Sequence, residues 1–358
     1  MGREVKDKNC CLFHASALGA WAVGLKVKGR MFCAAAVMIL VVSGCTGVKK
    51  PAATNSEYTP FDDTRKIAWS EDFKVVDIPS NSDEHIQKAY LYAAKSKSRR
   101  PLVVSLHTWS GGYDQQDDMA AICKSKDFNY VHPDFRGPNQ TKNACCSELA
   151  LSDIDDAIDY AISKAKVDRN EIYVVGVSGG GYATLSFFMR SKHRIKSFSA
   201  WASISDLVAW YHESRDRKRK YADDILKCTM SGEGELNVDA AKSKSPLYWK
   251  TPVDKVSSAR FFIHAGIHDG YKGSVPISHS INFYNKILTD CGATDSSNFV
   301  TASEKASLLK QIPPAGVIGE IGGRKLYLEK HYKNVTLEIF EGGHEMLFDV
   351  AMKELTGE

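Results

Sequence analysis

The segment Ile172-Tyr173-Val174-Val175-Gly176-Val177-Ser178-Gly179-Gly180-Gly181-Tyr182 constrains the fold of this chain more than any other. Its first half is a continuous apolar run without alternation, which suits a central parallel strand covered on both faces. Its second half crowds glycines around a serine and leads into residues 181–192, which read as a helix. A strand that turns so sharply into a helix leaves no room for bulky neighbours, hence glycine on either side of Ser178. Gly-x-Ser-x-Gly alone is weak evidence, because it also occurs by chance. The strand before it and the helix after it are the context that the motif requires. That turn lifts the Ser178 hydroxyl to the C-terminal end of the strand. It also sets the Gly179 amide and the helix N-terminus beside any oxyanion formed there.

Further strand signals alternate with helix signals from about Ile67 onward, the pattern of an α/β sheet. The strand candidates are residues 102–106, 128–131, 198–202, 260–264 and 335–340 besides the run at 172–176. Leu151, Ile154, Ile158 and Ile162 share one helical face, and Asp153, Asp155 and Asp156 are expected on the other, with Ser147 at the start. Residues 276–290 read as another helix, with Pro276 near its first turn. Two stretches break the alternation: the long, basic and aromatic 207–257, and the Ser/Thr-rich then Gly/Pro-rich 292–330. Both read as insertions near the mouth of a site.

A serine hydroxyl is a poor nucleophile at neutral pH and needs a base, which in turn needs an orienting acid. In an α/β-hydrolase the order along the chain is Ser, then Asp or Glu, then His. Asp269 follows the strand at 260–264, and His344 follows the last strand within Glu341-Gly342-Gly343-His344-Glu345. Both fall at C-terminal strand ends, where a parallel sheet places its sites. Asp206 is a competing acid. His268 precedes the last strand and sits in the wrong slot for the base; His264 and His279 read with it as packing or loop histidines, and His107 as structural. The loop His107-Thr108-Trp109-Ser110-Gly111-Gly112 is expected to supply a second oxyanion donor, the Trp109 amide, although Thr108 stands where a glycine is usual. Two roles fit Arg136, after another strand: holding a substrate carboxylate, or pairing with Asp134. No Cys/His spacing suggests zinc, and the chemistry requires neither metal nor organic cofactor.

The N-terminus points to export. Lys26, Lys28 and Arg30 precede an apolar stretch at 31–42, then Ser43-Gly44-Cys45. That is a secretory signal too short to span a membrane comfortably. Val42-Ser43-Gly44-Cys45 resembles a bacterial lipobox, which implies acylation at Cys45 and a lipid-anchored protein. Residues 1–45 are therefore expected to be an extension plus signal, 46–66 a tether, and 67–358 the catalytic domain. Beyond Cys45, Cys123, Cys145, Cys146, Cys228 and Cys291 remain, an odd number, so pairing leaves at least one over. The net charge of +4 is small, and the basic run 215–220 reads as a solvated helix face rather than a nucleic-acid site.

From Leu102 to the C-terminus the chain resembles the catalytic domain of the prolyl oligopeptidase superfamily. The resemblance rests on the Ser178 segment, Ser205-Asp206-Leu207, Ser245-Pro246-Leu247, Asp269-Gly270 with Val275-Pro276 and His279-Ser280, and Gly343-His344. It implies an α/β-hydrolase fold, with a mostly parallel twisted sheet, helices on both faces and two insertions near the site. It also implies Ser178 as nucleophile, Asp269 as acid and His344 as base. Only residues 67–101 lie between the tether and the first strand of that domain, too few for the propeller of the family's peptidases. The same domain without a propeller looks like secreted carbohydrate esterases. The leading expectation is thus an esterase acting on polysaccharide or oligosaccharide substituents, with a peptidase as the alternative. Trp109, Tyr113 and Trp210 are either sugar platforms or core.

Overall fold

The computed structural model describes residues 68–232 and 234–358. The expected signal, the Cys45 lipidation site and the tether lie outside the described residues. Along the chain run β1 (Lys74–Pro79), β2 (Ile86–Tyr92), β3 (Arg100–Leu106), α1 (Asp118–Ser125), β4 (Asn129–Pro133), α2 (Glu148–Lys164) and β5 (Val167–Val177). Next come α3 (Gly179–Arg190), β6 (Ser197–Trp201), α4 (Leu207–Asp216), α5 (Tyr221–Cys228), α6 (Val238–Ser243), α7 (Val253–Ser258) and β7 (Arg260–Gly266). The chain ends with α8 (Ser278–Asp290), α9 (Ala302–Leu309), β8 (Gly319–Ile321), β9 (Arg324–Tyr332), β10 (Val335–Phe340) and α10 (Phe348–Thr356).

All the strands join one sheet in the order β1-β2-β4-β3-β5-β6-β7-β10-β9-β8. The six from β4 to β10 are parallel, and antiparallel strands flank them on both sides. Burial on both faces explains their unbroken apolar runs. Leu102, Val104, Ile172 and Val174 face one hydrophobic cluster, together with residues of α2, α3 and α8. Val103, Tyr173, Val175 and Trp201 face another, with residues of α1 and α10. The chain steps from β3 outward to β4 and then returns past β3 to β5, so the sheet reverses direction between β3 and β5. A crevice opens at such a point beyond the carboxyl ends of the strands.

Two local expectations are corrected, and one insertion gains a strand. Ser147 caps α2, its hydroxyl accepting from the Ala150 amide at 3.1 Å. Asp153, Asp155 and Asp156, however, are buried rather than on a solvent face. They meet polar groups that the apolar pattern of the helix does not reveal: Ser80 and Arg136 for Asp153, Asn81 for Asp156, and the Lys192 amide for Asp155. The second insertion is not wholly irregular, because Arg324–Tyr332 forms a strand antiparallel to β10. Its centre, Leu326-Tyr327-Leu328, is buried and its two ends are partly or fully exposed, as suits a strand near the edge of the sheet. The basic run is not uniformly solvated either, because Arg217 is only partly exposed and closes α4 as its C-cap.

Candidate active site

Ser178 lies one residue beyond β5 with φ 59° and ψ −120°, a conformation that an L-residue adopts only under strain. The Ser178 amide donates to Trp201 O at 2.9 Å, and Ser178 O accepts from Tyr182 N at 2.8 Å, so strand and helix both grip the turn. The glycines are needed for contact as well as for turning. A Cβ on Gly176 would lie 2.4 Å from the backbone of Gly180, and one on Gly179 only 2.1 Å from Trp109 N.

Asp269 leaves the sheet after β7, two strands from β5, and His344 after β10, three strands from it. β7 and β10 pair in parallel up to Gly266 and Phe340, and two further bonds extend that contact. They run from Ile267 N to Phe340 O at 2.8 Å and from His268 N to Gly342 O at 3.0 Å. This extension brings His344 Nδ1 to 2.7 Å from Asp269 Oδ2. The other carboxylate oxygen, Oδ1, accepts from the amides of Gly270 at 2.9 Å and Val275 at 3.0 Å. An acid held at both oxygens has one orientation, and it passes that orientation to the imidazole. Ser178 and Asp269 are each 2% exposed and His344 is 4% exposed, so the approach to them is narrow.

The loop after β3 passes directly over the start of α3. Trp109 N is the backbone atom nearest to a Cβ built on Gly179, so the two amides expected to serve an oxyanion adjoin each other. Thr108, at the position where glycine is usual, is held through its amide and its hydroxyl by Gln115 Oε1 at 2.9 and 3.0 Å. Sequence reasoning missed that buried glutamine, and no motif marks it. His107 is structural: its ring contacts Thr108 O at 2.8 Å and Asp134 O at 2.9 Å and stacks on Phe135. Burial pushes its pKa down.

The competitors have other partners. Asp206 caps α4, accepting from Val208 N and Ala209 N and from the Tyr248 hydroxyl. His279 Nε2 contacts Glu213 at 2.9 Å, and His268 lies between Gln311 and Glu341. His264, Glu338 and Glu354 bring ligand-type atoms within 4.8 Å of one another. The two ring nitrogens of His264 nevertheless face separate carboxylates, at 3.0 and 2.9 Å. That is the geometry of an ion-paired imidazolium, not of ligands converging on a metal.

Arg136 requires a correction. Its guanidinium is spent on Asp153 (2.7 and 2.9 Å), Asp83 (2.8 and 2.9 Å) and Ser80 (3.1 Å), not on Asp134 and not on a site for substrate. Arg136 holds Asp83 down at about 2. Ser80 and Asp83 come from the turn after β1, which carries no strong sequence signal, and Asp153 comes from α2. Trp109 and Trp210 are both 0% exposed and pack edge to face at 4.6 Å, so neither is a platform for a sugar ring. Half-buried Tyr113 lies near Tyr90 at the rim.

The parallel sheet, its reversal point and the turn at Ser178 together define the class: this chain has the α/β-hydrolase fold. A family model described as the alpha/beta hydrolase fold matches residues 101–225. Uncomplexed acylaminoacyl peptidase from Pyrococcus horikoshii is similar at a TM-score of 0.52 and 16% identity, over 83% of this chain and 41% of that one. A puromycin hydrolase is similar at a TM-score of 0.51 and 12% identity, over 79% of this chain and 38% of that one. At such identities the likeness is one of fold, and the chain covers well under half the length of either protein.

Proposed function

We propose that this chain is a serine hydrolase that cleaves carboxylic acyl bonds through an acyl-enzyme on Ser178. The observation that carries the reading is the 2.7 Å bond from His344 Nδ1 to Asp269, made at the same C-terminal edge of the parallel strands as the strained turn at Ser178. With Nδ1 committed to Asp269, Nε2 is the nitrogen that takes the Ser178 proton as the hydroxyl attacks, and it returns that proton to the leaving group. The Gly179 and Trp109 amides receive the oxyanion. Water deprotonated by His344 then releases the acyl group.

For the leaving group we favour an amine from a small peptide or aminoacyl amide. The two similar proteins are a peptidase and a puromycin hydrolase, and the burial of Trp109 and Trp210 removes the support that aromatic platforms lent to a polysaccharide ester. A panel of aminoacyl and peptidyl amides beside acetyl, methyl and feruloyl esters of sugars tests this. Turnover confined to the sugar esters would overturn the amide reading. Ser178→Ala should abolish turnover and fluorophosphonate labelling with the melting temperature nearly unchanged, and retained activity would remove Ser178 from its role. We further propose export and a lipid anchor at Cys45. The Cys145–Cys228 disulfide, at home in an oxidising compartment, supports export. Fatty-acid labelling of the expressed protein should vanish in Cys45→Ala.

A further inference from the structure

The first insertion reaches the candidate triad through a single helix. On α4, Trp210 and Glu213 share a face with Arg217 at the helix end. The Trp210 indole donates to Ser274 O at 3.0 Å while its ring packs against Trp109. Arg217 Nη2 donates to Ser274 O at 2.6 Å, and Nη1 donates to Gly273 O at 3.1 Å and also to Gly270 O. These carbonyls belong to the loop whose Gly270 and Val275 amides hold Asp269 Oδ1. The loop is also held by the Tyr271 and Lys272 amides, which each donate to His268 O at 3.2 Å, and by the Tyr271 hydroxyl, which donates to Leu309 O. Gly270 sits at φ 87°, and a Cβ on Gly273 would lie 2.2 Å from Asp269 Oδ1, so the chain passes tightly around the carboxylate. A planar fork with several donors can tie the carbonyls of Gly270, Gly273 and Ser274 from one side, which a single ammonium cannot match.

We propose that Arg217 is a positioning residue: it fixes the 270–274 loop so that Asp269 presents His344 in the orientation needed to deprotonate Ser178. This rests on the triad reading above. Arg217 acts through the loop carbonyls that it binds. A misplacement of about 1 Å at a reacting group costs on the order of 10²-fold in rate. A loop freed from its clamp is therefore expected to slow the reaction tenfold to a hundredfold.

The test uses the rate of phosphonylation of Ser178 by a fluorophosphonate probe, followed against pH on the full chain, because it requires no knowledge of the substrate. Arg217→Lys keeps the charge but reaches at most one carbonyl. It should label at least about tenfold more slowly. The acid limb of its pH profile should move to lower pH, since a looser Asp269 stabilises the imidazolium less. Arg217→Ala should be slower still and should recover in part with low, non-denaturing guanidinium, which must not accelerate the wild type. If Arg217→Ala does not fold, Arg217→Lys carries the test alone. A purely structural role would lower the melting temperature of Arg217→Lys and leave the pH profile and labelling rate of the folded protein in place. That result would overturn the proposal while the triad reading stands. A wild type that does not label at all would overturn both.

Discussion

Gly179 shows how little tolerance the site has at the level of single residues. A methyl group there would lie 2.1 Å from Trp109 N, against backbone that has nowhere to go. Gly179→Ala should therefore push the two proposed oxyanion donors apart. Overpacking of this kind typically costs about 1–3 kcal/mol in stability, and a lost oxyanion donor costs roughly 10²–10³ in turnover. Urea unfolding and phosphonylation rates check both numbers, and an alanine variant with unchanged rates would remove Trp109 from the site. Arg136 makes the opposite case, a residue whose importance lies in stability. Asp153 beneath it is 0% exposed, so Arg136→Ala strands a buried carboxylate, which typically destabilises by roughly 3–5 kcal/mol. Labelling of the folded fraction should stay as in the wild type; a loss of labelling without a loss of stability would restore a substrate-facing role. The contact of Asp269 with His344 was legible because each follows an apolar strand, and β7 and β10 are neighbours in the sheet. Gln115, Arg136 and Arg217 were not, because their partners are backbone groups or carboxylates on elements far away in the sequence.

Among the elements, legibility followed burial. The six parallel strands are apolar on both faces and could be read directly, whereas β1, β2 and β9 have exposed positions and carry no run of comparable strength. The first insertion showed only as a break in the alternation, and its tethering could not be read at all. Cys228 at the end of α5 is bonded to Cys145 in the loop before α2, a sequence separation of 83 residues. The adjacent Cys146 is free and buried, which pushes its thiol up to about 12. Nothing in the sequence distinguishes these two neighbours. The bond ties α5 to the loop before α2, whose Asn139 amide donates to Trp109 O at 2.8 Å, and Asp224 of α5 accepts from the Trp109 indole at 3.3 Å. Cys145→Ser with Cys228→Ser should lower stability by about 2–4 kcal/mol, the usual range for a cross-link that closes a long loop. The phosphonylation rate should fall as well, because α4 and α5 brace both the Trp109 and the Asp269 loops. Unchanged unfolding in reductant, with the same labelling rate, would show that the insertion holds its place without the bond.

At the scale of the whole molecule, the sheet must be closed on the face away from α2, α3 and α8, and α10 does this with a buried charge cluster. His264 on β7 lies under Trp201 of β6, with ring centroids 3.8 Å apart, and contacts Glu338 of β10 at 3.0 Å and Glu354 of α10 at 2.9 Å. Burial opposes the charge on His264, but Glu354 and Glu338 outweigh it and raise its pKa from 6.5 to about 9. Burial works against ionised Glu338 too, yet the imidazolium beside it keeps its pKa below the ordinary value. Burial raises that of Glu354. A group whose pKa is higher in the folded state stabilises that state while it is protonated in both states. The contribution of His264 is therefore complete below pH 6.5, declines as the pH rises, and is lost as the pH passes about 9. Above that range a neutral ring lies between two carboxylates with no charge left to pair them, and α10 is held by its apolar packing and by the Arg260 bond to Leu355 O at 2.7 Å. His264→Gln keeps a polar group there but cannot take up the proton. The stability difference between wild type and this variant, from urea unfolding at a series of pH values, should be largest at about pH 6.5 and shrink toward pH 10. Subtracting the variant cancels the titration of every other lysine, tyrosine and cysteine in the chain. A difference that stays flat across that interval would mean that His264 is neutral in the folded protein and that α10 docks without its charge.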